Sequence, residues 1–278
     1  MIYLIAGRSG AGKDYLVSKM IELSKEMTGK AFAMVKSYTT RPPRYENEDT
    51  HIFIAKEDVD KYPNKVATTK IGEYEYFATA EQVNNSEIYV IDPKGIDELI
   101  TNMPDTEFQI VYVQADEDIN RRINAVKRAD DKIREEEIFA ARDAAENEQF
   151  TEFEDKIHNR MDYEKCFPDN VNSVIIVTNT YKAEDMEQYA RMLVTRKIQI
   201  DRMRTVVREC VELGIISESE NTDANGDKKI IAYCTNGEKT YQKEYSIDAC
   251  IIRLLGDEEG FADIIGKYIA LSPRFDNM

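Results

Sequence analysis

An α/β fold, a parallel sheet flanked by helices, is predicted by three features of the sequence. The chain opens on a short apolar run that passes through glycines and a lysine into a helical stretch; further apolar runs alternate with helical stretches; and an amphipathic helix follows the last of these runs. Residues 2–6 (IYLIA) read as the first buried strand and 15–25 as the helix behind it. Between them, residues 7–13 (GRSGAGK) have the spacing of a phosphate loop. Small residues at Gly7, Ser9, Gly10, Ala11 and Gly12 let backbone N–H groups curl around an anion, and Lys13 reaches its terminal phosphates. A hydroxyl normally follows that lysine and helps to hold Mg²⁺, whereas here Asp14 follows. A carboxylate is a hard ligand for Mg²⁺ and equally a cap for a helix N-terminus, and the sequence leaves both readings open.

Composition narrows the function classes. At 278 residues there is room for one large domain and a small one, and 42% hydrophobic with 32% charged residues describes a soluble globular protein. A formal net charge of −16 argues against broad nucleic-acid binding, which depends on neutralising many phosphates, but not against one nucleotide held by a local cluster of cations. The first residues form the predicted strand instead of a basic leader with a cleavable apolar segment, so no export signal is expected. No apolar run approaches the ~20 residues of a membrane helix. The widely spaced Cys166, Cys210, Cys234 and Cys250 suggest free thiols in a reducing cytoplasm, and with only His51 and His158 a His-rich metal centre is not expected.

Along the chain, residues 31–36 (AFAMVK) read as a second short strand that leads into 37–53 (SYTTRPPRYENEDTHIF). Arg41 and Arg44, stiffened by Pro42 and Pro43 and preceded by hydroxyls, suit a clamp for a second anion, because guanidinium forks match phosphate oxygens; a proline-stiffened surface loop with solvated arginines fits the same residues. Taken together, GRSGAGK and the S-x-T-T-R-x-P-R pattern of 37–44 resemble the guanylate kinases, a family of P-loop nucleoside monophosphate kinases. The resemblance continues through residues 72–79 (GEYEYFAT), similar to the family's G-N-Y-Y-G-T/S, and 89–95 (YVIDPKG), similar to its D-x-D-x-x-G. It covers about residues 1–195, which are expected to form the kinase domain, with 196–278 as a separate small domain.

The resemblance implies a P-loop NTPase-type sheet with a substrate-binding insert and a lid. It also implies an ATP- and Mg²⁺-dependent cytoplasmic enzyme of nucleotide metabolism, which moves the γ-phosphoryl group of ATP to a nucleoside monophosphate, GMP or dGMP by default. Carried over to this chain, it puts Ser37, Arg41 and Arg44 on the acceptor phosphate. Phe77, or its neighbour Tyr76, takes the place of a phosphate-binding tyrosine. By the same resemblance Thr79 would contact the base and Asp92 would lie near base and metal, while a loop residue, core aromatics and a strand-end turn former fit Thr79, Tyr76 with Phe77, and Asp92 as well. Besides Asp14 and Phe77, the chain departs from the pattern at three places: residues 66–70 (VATTK) offer no carboxylate where the family reads guanine, His51 stands for a tyrosine, and Val90 for the first aspartate. Changes in the buried polar partners of a base pocket change its selectivity. A protein-interaction module of the same fold without turnover is the alternative reading, and a kinase for another phosphate-bearing acceptor a third.

Residues 107–113 (EFQIVYV) read as a further strand, followed by a helical stretch with Arg121, Arg122 and Arg128 and a charged segment with Arg134 and Arg142. In the family this is the lid, whose arginines stabilise charge during transfer; Arg122, Arg128 and Arg142 are the catalytic candidates and Arg134 the reserve. A solvated helix face with i,i+4 ion pairs also explains each of them. Residues 173–177 (SVIIV) form a last strand ending at Asn179, which is similar to the family's asparagine near the donor adenine and is also a common turn residue. Residues 183–195 then read as an amphipathic helix with Met186, Tyr189, Ala190 and Leu193 on one face.

The tail reads as a small α+β appendage: a helix over 198–212, a hairpin of 228–234 and 239–245 across Asn236-Gly237, and helices over 247–255 and 260–271. Residues 221–226 imitate the start of a calcium loop, but Ala232 stands where a bidentate Glu is needed, so a loop without metal is expected. No residue set in this tail specifies a chemistry or a protein partner.

Overall fold

A computed structural model describes residues 1–43, 46–71, 73–116, 147–158, 170–223, 226–236 and 239–272. Arg44, Arg121, Arg122, Arg128, Arg134 and Arg142 lie outside them. The chain divides into two units, Met1–Pro104 with Phe108–Val194, and Asp105–Glu107 with Thr195–Met278.

The first unit is built on four parallel strands, β1 (Ile2–Ala6), β6 (Ile88–Val90), β7 (Phe108–Ala115) and β8 (Val171–Asn179), in the order β6-β1-β7-β8. β1 is buried along its whole length, as a central parallel strand with covered faces must be. Beyond β6, residues 31–36 make one parallel bridge, at Met34 opposite Ile88, and no full strand. The reason is competition for backbone donors. The Ser24 hydroxyl accepts from the Phe32 N–H at 2.8 Å and the Glu87 carboxylate from that of Ala33 at 2.7 Å, so these groups do not join a ladder.

Helix α1 (Lys13–Thr28) buries Leu16, Val17, Met20 and Leu23 and stops at Gly29, whose φ of 79° suits glycine. The main core gathers Leu4, Tyr89, Ile96, Leu99, Phe108, Ile110 and Tyr112 with Phe150, Phe153 and Ile157; the last three come from α4, which includes the helical residues 147–158. Each such side chain contributes about 1.5–3 kcal/mol when fully buried.

A second sheet holds β2 (Tyr38–Thr39), β3 (Ile52–Phe53), β4 (Lys65–Ile71) and β5 (Tyr74–Thr79) in the order β3-β2-β5-β4, antiparallel except for the β2–β3 pair. It is followed by α2 (Ala80–Asn84), whose Thr79 and Gln82 form a reciprocal capping box, and, after β6, by α3 (Pro93–Asn102), capped by Asp92.

Where the sequence pattern suggested a helix to 195 and another from 198, one helix, α5, runs from Ala183 to Glu212. Arg196 and Lys197 are good helix formers, and Lys197 pairs with Asp201 one turn on at 2.7 Å, so nothing interrupts it. The second unit adds an antiparallel sheet, β9 (Ser217–Thr222), β10 (Lys228–Asn236) and β11 (Lys239–Tyr245) in the order β11-β10-β9, then α6 (Ile247–Gly256) and α7 (Glu258–Leu271). Within it, Arg204 grips Asp248 through two bonds of 2.6 Å. Burial alone would push the Asp248 carboxyl up, but positive charge and hydrogen bonding, with Arg204 foremost, outweigh it and hold the group well below the usual carboxylate range. Cys210 and Cys250 are buried free thiols, and burial pushes the latter up to about 11. No helix among the described residues is long and apolar enough to cross a membrane.

Candidate functional site

In an open parallel sheet ligands gather beyond the carboxyl ends of the strands, and the loop of residues 7–12 lies there, between β1 and α1. Two glycines are required by contact as well as by shape. A Cβ on Gly7 would lie 2.2 Å from the Val113 carbonyl oxygen, and one on Gly12, at φ 100°, would lie 2.3 Å from the Asn179 amide nitrogen. Lys13 Nζ folds back to donate to the carbonyls of Gly7 at 2.6 Å and Arg8 at 3.1 Å. Asp14, in the first turn of α1, is exposed. Asn179, 4% exposed at the end of β8, donates through Nδ2 to the Ala11 carbonyl at 2.8 Å and so faces the loop itself. Beside it a cleft of about 430 Å³ is lined by Thr178, Thr180, Asp185, Gln188, Tyr189 and Met192, within the size range of small-molecule pockets.

The loop is also tethered by residues that sequence reading did not single out. Arg8 donates to both oxygens of Glu154 on α4, at 2.9 and 3.0 Å, and to the side-chain Oδ1 of Asn147 at 3.0 Å. The Tyr112 hydroxyl donates to the same Glu154 carboxylate. Burial pushes the Glu154 carboxyl up, but the Arg8 and Tyr112 hydrogen bonds outweigh it and hold the group below its ordinary range. Burial and that carboxylate push the Tyr112 phenol up.

A second polar cluster gathers on the other sheet. Arg41, 8% exposed, gives one bond of 2.8 Å and one of 3.2 Å to the Glu48 carboxylate, whose side chain is 1% exposed, and stacks 5.3 Å from the Phe53 ring. Hydrogen bonding to Glu48 and, more weakly, to Tyr76 raises the Arg41 pKa above its ordinary value. Arg41 Nε is buried with no hydrogen-bond partner among the described residues. Ser37 Oγ and His51 Nδ1 are 3.1 Å apart, and the His51 ring meets Tyr76 edge-on at 5.5 Å. Tyr76 and Phe77 point to opposite faces of β5 as successive strand residues do, and Phe77 is buried against the paired rings of Tyr38 and Tyr62. Thr79 is engaged as the cap of α2. Asp92 caps α3 through the Gly95 N–H at 2.8 Å and accepts from the Thr69 hydroxyl at 3.1 Å. The VATTK stretch carries no carboxylate of its own, yet Glu98 also reaches it from α3, accepting from the Thr68 N–H at 2.8 Å.

The sequence model of the family described as guanylate kinase matches residues 1–167, well over half of the chain. The chain belongs to the guanylate kinase family. Among solved structures it is similar to a guanylate kinase from Anaplasma phagocytophilum, at 12% identity over 71% of this chain and 85% of that one, with a TM-score of 0.41. The family therefore rests on the sequence match and not on this likeness. Comparison with curated proteins gives no match. For a guanylate kinase family member, the parallel sheet and strand-end loop are the expected P-loop arrangement.

The residues read from sequence thus fall into three groups. Gly7, Ser9, Gly10, Ala11, Gly12, Lys13 and Asn179 converge at the strand ends, with Asp14 on the adjoining helix turn. Ser37, Arg41 and Tyr76 converge on the second sheet, joined by Glu48 and His51. Phe77, Thr79 and Asp92 are occupied in packing or capping, and Arg44 and the three catalytic arginine candidates lie outside the described residues.

Proposed function

We propose that this chain transfers the γ-phosphoryl group of ATP to a nucleoside monophosphate, with GMP and dGMP as the reference acceptors. The observation that carries this reading is the glycine loop folded round Lys13 at the strand ends. Its Gly7, Ser9, Gly10, Ala11, Gly12 and Lys13 would hold the donor phosphates, and Asn179 the loop. Ser37, Arg41 and Tyr76, with Arg44, would hold the acceptor phosphate. Arg122, Arg128 and Arg142 would neutralise the group in transfer. Such catalysis is mostly positioning and charge stabilisation.

The described residues gather no set of three or more metal-ligating side chains. That fits Mg²⁺ carried chiefly by nucleotide phosphates with one or two carboxylates. Asp14, on the first turn of α1, and Asp92, whose carboxylate keeps lone pairs beyond the two hydrogen bonds it accepts, are the residues offered here. When bound, the ion would neutralise charge on the donor phosphates. Asp14 in place of a hydroxyl, with no carboxylate within VATTK, favours a second reading, a nucleotide- or protein-binding module without turnover.

The test is ADP formation from ATP and Mg²⁺ against GMP, dGMP, AMP, dAMP, CMP, dCMP, UMP and dTMP. Turnover with one acceptor class, lost in Lys13→Ala, is the expected result and names the base. Folded protein that binds ATP but is silent with every acceptor supports the module instead.

A further inference from the structure

The turn that leaves β8 holds a residue in an unusual conformation. Tyr181 has a φ of 60°, in the left-handed region that glycine and asparagine enter easily and ring-bearing residues rarely do. Strain of this kind persists where the surrounding contacts over-determine it, and here the contacts lead to the phosphate loop. The Tyr181 N–H donates to Asn179 Oδ1 at 2.8 Å, and its hydroxyl donates to the Gly10 carbonyl at 3.0 Å. Asn179 in turn donates to the Ala11 carbonyl at 2.8 Å. Two successive loop carbonyls are therefore held from one side by one turn.

A peptide unit is planar, so fixing a carbonyl fixes the N–H of the next residue on its opposite edge. Holding the Gly10 and Ala11 carbonyls sets the directions of the Ala11 and Gly12 N–H groups. The Ala11 N–H donates to the Arg8 carbonyl at 3.1 Å, and that carbonyl also accepts from Lys13 Nζ at 3.1 Å. The chain of contacts from the Tyr181 hydroxyl thus ends on the lysine. A turn serving only to join β8 to α5 would be met as well by Gly or Asn; tyrosine alone among these supplies a hydroxyl that reaches Gly10.

We propose that Tyr181 is a positioning residue for the triphosphate of the donor nucleotide, holding the loop in its anion-accepting shape through the Gly10 carbonyl. This inference rests on the kinase reading above.

Tyr181→Phe removes the hydroxyl alone, and Tyr181→Asn removes it while suiting the backbone better. Mg·ATP binding by calorimetry, the KM values for ATP and for the acceptor, and thermal midpoints are compared with wild type and Lys13→Ala. Both variants should bind Mg·ATP about fivefold more weakly, the worth of one hydrogen bond, with the ATP KM raised alike and the acceptor KM unchanged. In Tyr181→Phe the thermal midpoint should fall by no more than about 2–4 °C, the effect of one hydrogen bond in a domain of this size. Wild-type affinity in Tyr181→Phe, or an equal rise in both KM values, overturns the inference and leaves the kinase reading standing. A folded wild type that binds no Mg·ATP overturns both.

Discussion

The two proposed anion clamps of this protein are built from different materials. At the donor side the chain uses backbone: Lys13 is held by the carbonyls of Gly7 and Arg8, and glycines stand where a Cβ would collide with Val113 or Asn179. At the acceptor side it uses a buried ion pair, Arg41 with Glu48, closed over by Phe53 and touched by Tyr76. Removing a cation from a backbone cradle leaves carbonyls that water can serve. Removing one from a buried pair leaves an uncompensated charge, which costs several kcal/mol. Donor-side changes should therefore damage function with little effect on folding, and acceptor-side changes should damage both.

The largest expected effect on turnover is at the donor side. Lys13→Ala should lower kcat about 100- to 1,000-fold, the scale on which one preorganised charge-stabilising donor acts, while its urea midpoint stays at the wild-type value. A large loss of stability would break the contrast. Next is Arg41→Ala, expected to cost about 3–5 kcal/mol in urea unfolding because Glu48 is left buried and unpaired; the double variant Arg41→Met with Glu48→Leu should recover most of that stability without acceptor binding. Tyr76→Phe sharpens the comparison within the acceptor side. It should raise the acceptor KM about fivefold, the worth of one hydrogen bond, and leave the ATP KM alone.

The smallest effect concerns pH and the Arg8 tether. The folded state holds the Glu154 carboxyl below its ordinary value of 4.5. Its contribution to stability is thus present above that value and is lost as pH falls through it toward the lower folded one. Urea midpoints measured across this acid range should fall less steeply for Glu154→Gln than for wild type, although Asp248, held low in the same sense by Arg204, leaves an acid limb in both. Equal slopes would show that the tether carries no such linkage.

What the sequence disclosed followed how local each signal is. β1 is a continuous apolar run, β7 and β8 are built round the apolar IVYV and VIIV, and the loop between β1 and α1 has its own spacing, so both could be read directly. β9 could not. Its SESENT has one buried residue, Ser219, tied through its hydroxyl to Glu244 on β11 at 2.7 Å, and pairing rather than burial makes it a strand. Tyr76 and Phe77 could not be ranked from a motif that names both, whereas the pleat of β5 puts one beside Arg41 and the other in the core. Glu154 lies 146 residues from Arg8, and no window of sequence links them. Glu48 is only seven residues from Arg41, but nothing in YENED distinguishes it from Glu46 until the fold buries it.

The most direct test of the donor–acceptor account follows the phosphoryl group itself, using ATP labelled in its γ-phosphate with the acceptor that gives the fastest turnover. The account predicts label in the nucleoside diphosphate product, in step with ADP formation, and none transferred by Lys13→Ala. Label appearing only as inorganic phosphate, at the same rate with or without acceptor, would contradict it.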